Sequence, residues 1–166
     1  MTVYTTMDSP LGRLLLVGEE SAGAKGGTAL AALSMPGQKY GAVVQDDWRE
    51  DADAFREIVS QLRSYFDGRL TAFDIDFVTG GSDFQRRVWT ALEDIPYGTT
   101  LSYGEIAARI GASRAAVRAV GTAIGANPLL VVRPCHRVIG ASGALTGYAG
   151  GLERKRQLLD LENVPS

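Results

Sequence analysis

The chain contains one cysteine and one histidine, and each scarcity closes off a class of protein. With Cys135 alone, no internal disulfide can form and no multi-thiolate zinc site can be built. With His136 alone, a histidine-based metal cage is equally out of reach. Long apolar runs are also missing: nothing approaches the roughly 18 consecutive residues that a membrane-spanning helix needs. The opening residues, MTVYTTMDSPLG, are not basic and lead into no apolar segment of the kind that marks export. A lone free thiol fits a reducing compartment, so the expected location is the cytoplasm, with no membrane partner.

What is present is a globular balance: 166 residues, 45% of them hydrophobic and 22% charged. That length suits one ordinary domain or two small ones. The net charge of −2 conceals a split. Residues 1–82 hold seven lysines and arginines against twelve aspartates and glutamates, a net of −5. Residues 83–166 hold ten against seven, a net of +3. Local charge outweighs the total at short range, so the second half can meet a phosphate backbone although the whole molecule is acidic.

The first half reads as short strands and one helix. Val3 to Thr6 and Leu11 to Val17 flank the turn formers Asp8-Ser9-Pro10 and predict a hairpin. Residues 21–27 are a loop, and Ala29 to Leu33 a further strand. Phe55, Ile58, Val59, Leu62 and Phe66 share one helical face and predict a helix over 52–66, stopped at Asp67-Gly68. Phe73, Ile75 and Phe77 alternate as in a half-buried strand. Nothing in this half has the spacing of a catalytic pair, and it reads as structural.

The second half is mainly helical. Phe84 to Leu92 follows a possible cap at Ser82 or Asp83. Tyr103 to Ile110 and Ala115 to Ile124, joined through Gly111-Ala112-Ser113, outline a helix-turn-helix. Its second helix is slim, with Ala115, Ala116, Ala119, Gly121 and Ala123, and it projects charge through Arg114 and Arg118. Such a surface suits a nucleic-acid backbone, and it equally permits close helix packing. Leu129 to Val132 is an apolar run ending at Pro134, and Leu152 to Leu161 forms a last helix.

Cys135 and His136 are adjacent in this setting. A lone cysteine is most often a small buried hydrophobe, and a lone histidine a satisfied core or surface residue. Neighbours on a strand point to opposite faces, so direct contact between them needs a bend or a bridging water. Pro134 and the glycines that follow suggest a bent path. The positive charge beside Cys135 favours thiolate.

Taken together, PCHRV (134–138) resembles the active-site signature of the methylated-DNA–protein-cysteine methyltransferases, also called O-6-alkylguanine-DNA alkyltransferases. The resemblance runs through FQRRVW (84–89), IPYG (95–98), SYGEIA (102–107), RAVG (118–121), NP (127–128), GALTGYAGG (143–151) and RKRQLLDLE (154–162). It implies an α/β plus α fold: a small ribonuclease-H-like domain over 1–78, a linker over 79–83, and a winged-helix-like domain containing the helix-turn-helix over 84–166. It implies direct repair of O-6-alkylguanine, and of O-4-alkylthymine, in double-stranded DNA bound through the minor groove by a monomer. No cofactor and no metal are expected.

By the same resemblance, Cys135 accepts the alkyl group and His136 is its general base, acting through a water. Glu162 orients the imidazole, although Glu153 and Asp160 stand in the same helix and the residues alone do not choose among the three. Arg118 fills the gap left by the flipped base, Arg114 joins it on the DNA, and Tyr103 meets the guanine and assists its departure. Asn127 joins the DNA-binding helix to the active-site segment, while Tyr148, Ala149 and Val138 line the pocket. Two positions depart from the pattern: Ala149 stands where a serine is frequent, and Arg133 where many members carry an apolar residue. Competing readings are a DNA-binding protein without chemistry, whose kind replaces the acceptor cysteine; a cysteine hydrolase, which needs an oxyanion hole; and a regulator, which usually dimerises.

Overall fold

The computed structural model describes residues 1–165 and divides into two compact units, Met1–Thr79 and a second from Gly80 onward. In the first unit, β1 (Thr2–Ser9) and β2 (Gly12–Glu20) form the expected hairpin, longer at its ends than the apolar pattern suggested. Ser9 closes it, its hydroxyl accepting from the Leu11 amide and donating to the Gly12 carbonyl. β3 (Thr28–Ser34) adds antiparallel to β2, and the two-residue β4 (Arg49–Glu50) adds parallel to β1, giving the order β3-β2-β1-β4. β4 carries no apolar signal and was not legible as a strand. The register slips between Val17 and Gly18, where the backbone comes so close to β3 that a Cβ on Gly18 would lie 2.8 Å from the Ala29 carbonyl oxygen.

The predicted helix begins four residues late. Asp51 caps a 3₁₀ turn over Ala52–Phe55, and α1 runs Arg56–Phe66. Its Ile58, Leu62 and Tyr65, with Phe55, are buried in this unit, as are Val3, Leu14 and Leu16 of the hairpin. The expected strand over 73–77 reduces to one bridge, Leu30 with Phe77. The reason is local: the Gln61 amide takes both backbone groups of Asp74, at 2.8 and 2.9 Å, so that residue has none left for a ladder.

In the second unit, α2 (Asp83–Glu93) opens with a full capping box between Ser82 and Gln85. A second box, Ser102 with Glu105, starts α3 (Tyr103–Arg109) directly after β5 (Leu101–Ser102). The following turn includes a 3₁₀ segment, Arg114–Ala116, and leads into α4 (Val117–Gly125), two residues later than the composition suggested. α3 and α4 pack on each other as the helix-turn-helix. α2 is tied to α4 by the Trp89 indole, which donates to the Ala123 carbonyl at 2.8 Å. β6 (Val138–Ile139) pairs parallel with β5, and α5 (Leu152–Leu161) follows. No helix among the described residues is long and apolar enough to cross a membrane.

Candidate active site and nucleic-acid interface

The thiol sits on a bend. Leu129 to Val132 are buried but form no strand, and Val131 adopts a left-handed φ of 69°. The Cys135 amide then donates back to the Arg133 carbonyl at 2.7 Å, and Cys135–Arg137 forms one 3₁₀ turn. In a strand these side chains would alternate between faces; on this turn Cys135, His136 and Arg137 are all buried. β6 leaves the turn at once. Its pairing of Val138 with Leu101 sets the thiol segment beside the start of α3, where Tyr103 is the first helical residue.

Glu162 caps the C-terminal end of α5 and is entirely buried, so its charge must be matched by partners. His136 Nε2 lies 2.8 Å from its Oε2. Arg137 grips the same carboxylate with two bonds, Nε to Oε1 at 2.7 Å and Nη2 to Oε2 at 3.0 Å. Arg137 also donates to the Ile95 carbonyl at 2.6 Å, and Tyr97 donates to the Leu161 carbonyl at 3.2 Å. The IPYG segment is therefore a clamp on the end of α5. Burial holds the His136 pKa below its ordinary value, against the pull of Glu162, so the imidazole is neutral. A carboxylate accepts only, so Nε2 carries the hydrogen and Nδ1 keeps a free lone pair. Nδ1 is buried and has no hydrogen-bond partner among the described residues.

Burial likewise pushes the Cys135 thiol up, so the resting group is protonated. Opposing that push are the polar Asn127 side chain and the charges of Lys155 and Arg133. Asn127, buried, is held in place by its bonds to the Leu129 amide at 3.0 Å and the Arg133 carbonyl at 3.2 Å. The arrangement is a protonated nucleophile beside a neutral base whose other nitrogen is locked to a carboxylate. An imidazole held in this way, with Nδ1 free, has the tautomer of a base.

The remaining expected residues fall in two places. Tyr103, half-buried, donates its hydroxyl to the Thr146 carbonyl at 3.3 Å and accepts from the Thr146 hydroxyl at 3.2 Å. Its ring borders Gly121 of α4, where a Cβ would lie 3.8 Å away. Tyr148, with its hydroxyl buried, and Ala149 lie in the glycine-rich loop after β6. Arg114 and Arg118 are exposed, at the 3₁₀ turn and on α4, and their side chains make no ion pair or hydrogen bond among the described residues. The site proper thus gathers Cys135, His136, Glu162 and Asn127, while the arginines stand apart on the outer face of the helix-turn-helix. No group of three or more His, Cys, Asp or Glu side chains suited to a metal ion occurs among the described residues.

Two contributors escaped the sequence. Arg137 reads in the sequence only as positive charge beside the thiol, and the structure makes it the partner of Glu162. Lys155 was not singled out, yet it is entirely buried and donates to the carbonyls of Val138 at 2.6 Å, Thr146 at 2.8 Å and Gly147 at 3.3 Å. A signal existed: Lys155, Leu158, Leu159 and Glu162 share the inward spacing of α5, which places one charge at each end of an apolar stripe.

A single buried thiol backed by an imidazole–carboxylate pair, on a unit built around a helix-turn-helix, defines a nucleophilic-cysteine protein of DNA-binding architecture. Family models agree over both units: the ribonuclease-like domain of the 6-O-methylguanine DNA methyltransferases matches residues 2–78, and their DNA binding domain matches residues 83–164. The chain belongs to the 6-O-methylguanine DNA methyltransferase family. The methylated-DNA–protein-cysteine methyltransferase of Mycolicibacterium paratuberculosis is 54% identical, covering 98% of this chain and 93% of its own. That of the archaeon Methanosarcina acetivorans is 46% identical, covering 96% and 97%. Among solved structures, Mycobacterium tuberculosis OGT in complex with DNA superposes with a TM-score of 0.88 at 52% identity, covering 97% of this chain and 93% of that one.

Proposed function

We propose that the chain repairs O-6-alkylguanine, and O-4-alkylthymine, in double-stranded DNA by moving the alkyl group irreversibly onto Cys135. The observation that carries this reading is the buried His136–Glu162 pair, at 2.8 Å, next to the one thiol of the chain. His136 Nδ1 takes the thiol proton through a water, and Glu162, neutralised by Arg137, stabilises the imidazolium. The sulfur attacks the alkyl carbon, an S–C bond forms, and the C–O bond to the base breaks. Tyr103 donates toward the departing base, so that it does not leave as a bare anion. The product is a thioether, with no second nucleophile to cleave it, and each molecule acts once.

The target atom lies within the base stack, so the nucleotide must be flipped out, at a cost of a few kcal/mol. α4 enters the minor groove, Arg118 occupies the vacated space, and Arg114 contacts the backbone. Tyr148, Ala149 and Val138 wall the pocket, and Asn127 links α4 to the active-site segment. The residues 1–78 serve as a structural domain, 79–83 as a linker and 84–166 as the working domain of a cytoplasmic monomer that needs no cofactor or metal.

The test is single-turnover repair of a methylated duplex across a pH series. His136→Ala should be slow at neutral pH and recover partly as alkali deprotonates Cys135 directly, and Glu162→Gln should be slow at neutral pH. Unchanged neutral-pH rates in both folded variants would exclude the relay.

A further inference from the structure

Arg133 stands two residues before the thiol and carries a charge into the interior. Its side chain is 8% exposed, and its partner Glu93, bonded Nε to Oε2 at 3.1 Å, is 37% exposed. The guanidinium lies over the Trp89 ring, 4.9 Å from its centroid, and Nη1 donates to Asn127 Oδ1 at 3.3 Å. The pair is therefore a dipole with a direction. Its positive end faces the protein and acts through low dielectric, while its negative end lies nearer water and is screened. Asn127 Nδ2 in turn donates to the Arg133 carbonyl at 3.2 Å, the same carbonyl that accepts from the Cys135 amide at 2.7 Å, so the guanidinium, the amide and the thiol turn are joined in one hydrogen-bonded unit.

We propose that Arg133 is a positioning residue for the alkyl transfer: its guanidinium fixes the Asn127 amide that holds the thiol turn, and it places a buried positive charge two residues before the sulfur. The inference rests on Cys135 as the alkyl acceptor. Donating into Oδ1 polarises the amide and strengthens its N–H bonds to the Leu129 and Arg133 carbonyls, which hold the approach to the thiol turn. Arg133 does not work alone. The other ionisable groups set around the thiol are His136 and Arg137 on its own turn and Lys155 and Glu162 from α5, with Glu93 of α2 behind Arg133. A charge held for packing alone would leave the thiol's reactivity untouched, and this separates the two roles.

The experiment follows Cys135 alkylation by free O-6-benzylguanine, which requires no base flipping, in the full chain across a pH series, with intact mass as readout and circular dichroism as the folding check. Arg133→Leu should react about threefold to tenfold more slowly at neutral pH, with its profile displaced to higher pH and its rate converging on wild type in alkali. Arg133→Lys should recover most of the rate. Glu93→Gln removes the counter-charge, so its profile should move the opposite way, to lower pH. No adduct on the wild-type chain would overturn the acceptor assignment and this inference together. An adduct on wild type with Arg133→Leu and Glu93→Gln profiles superimposed on it would overturn the inference alone. Should Arg133→Leu not fold, Glu93→Gln decides: a shift to lower pH supports the role, and no shift or a shift to higher pH overturns it.

Discussion

Lys155 donates its ammonium to the Val138 carbonyl at 2.6 Å, fastening α5 to the strand that leaves the thiol turn. The same ammonium reaches the Thr146 and Gly147 carbonyls, so one buried charge holds both the turn and the glycine-rich loop. Three backbone acceptors satisfy its hydrogens, but none is an anion, and burial lowers its pKa to about 8 against an ordinary 10.5.

That shift has a sign. Below about pH 8 both folded and unfolded chains hold the lysine proton, and the cost of the buried charge is present in full. Between about 8 and 10.5 the folded chain has released a proton that the unfolded chain retains, so this group's contribution to stability rises with pH across that window. Urea unfolding of wild type and Lys155→Met should give a stability difference, wild type minus variant, that increases over that range. A flat difference would mean that the ammonium is not desolvated.

The exposed Arg118 side chain makes no hydrogen bond or ion pair among the described residues, so its removal should cost the fold little. If it fills the space of a flipped base, Arg118→Ala should slow repair of a methylated duplex far more than reaction with free O-6-benzylguanine. Comparing the two single-turnover rates checks this, and equal losses would place its role in the fold or the chemistry instead.

The charge split predicts where DNA binds. Affinity for unmodified duplex should fall with salt along a shallow slope, as expected for few displaced counterions, and Arg114→Glu should weaken it further. Base sequence should matter little, because minor-groove readout is degenerate. Fluorescence anisotropy across a salt series measures both, and indifference to salt and to the charge reversal would put the DNA on another surface.

Much of this molecule was legible before its structure. The Asp8-Ser9-Pro10 turn announced the hairpin, and the Phe55 to Phe66 stripe announced α1 because burial repeats at the helical period. Alternation failed over 73–77 because a side chain, Gln61, competes for the Asp74 backbone, which no periodicity reveals. Among the acids of the last helix, family likeness pointed to Glu162, and the physical discriminator is three-dimensional. Glu153 is exposed and Asp160 pairs with Arg156 at 2.8 Å, whereas Glu162 is buried where Arg137 and His136 converge. Arg133 marks the opposite limit: its departure from the family pattern was visible, but its seat between Glu93, Asn127 and Trp89 was not.

If the one thiol of this chain takes and keeps the alkyl group, the mass of the protein must record it. Intact-mass measurement after incubation with excess methylated duplex, followed by peptide mapping, tests it most directly. One added methylene equivalent per molecule is expected, located on Cys135, with no further consumption of substrate once it is in place and no addition to Cys135→Ala. Unmodified protein with continuing loss of methylguanine from the DNA, or an adduct on any residue other than Cys135, would contradict it.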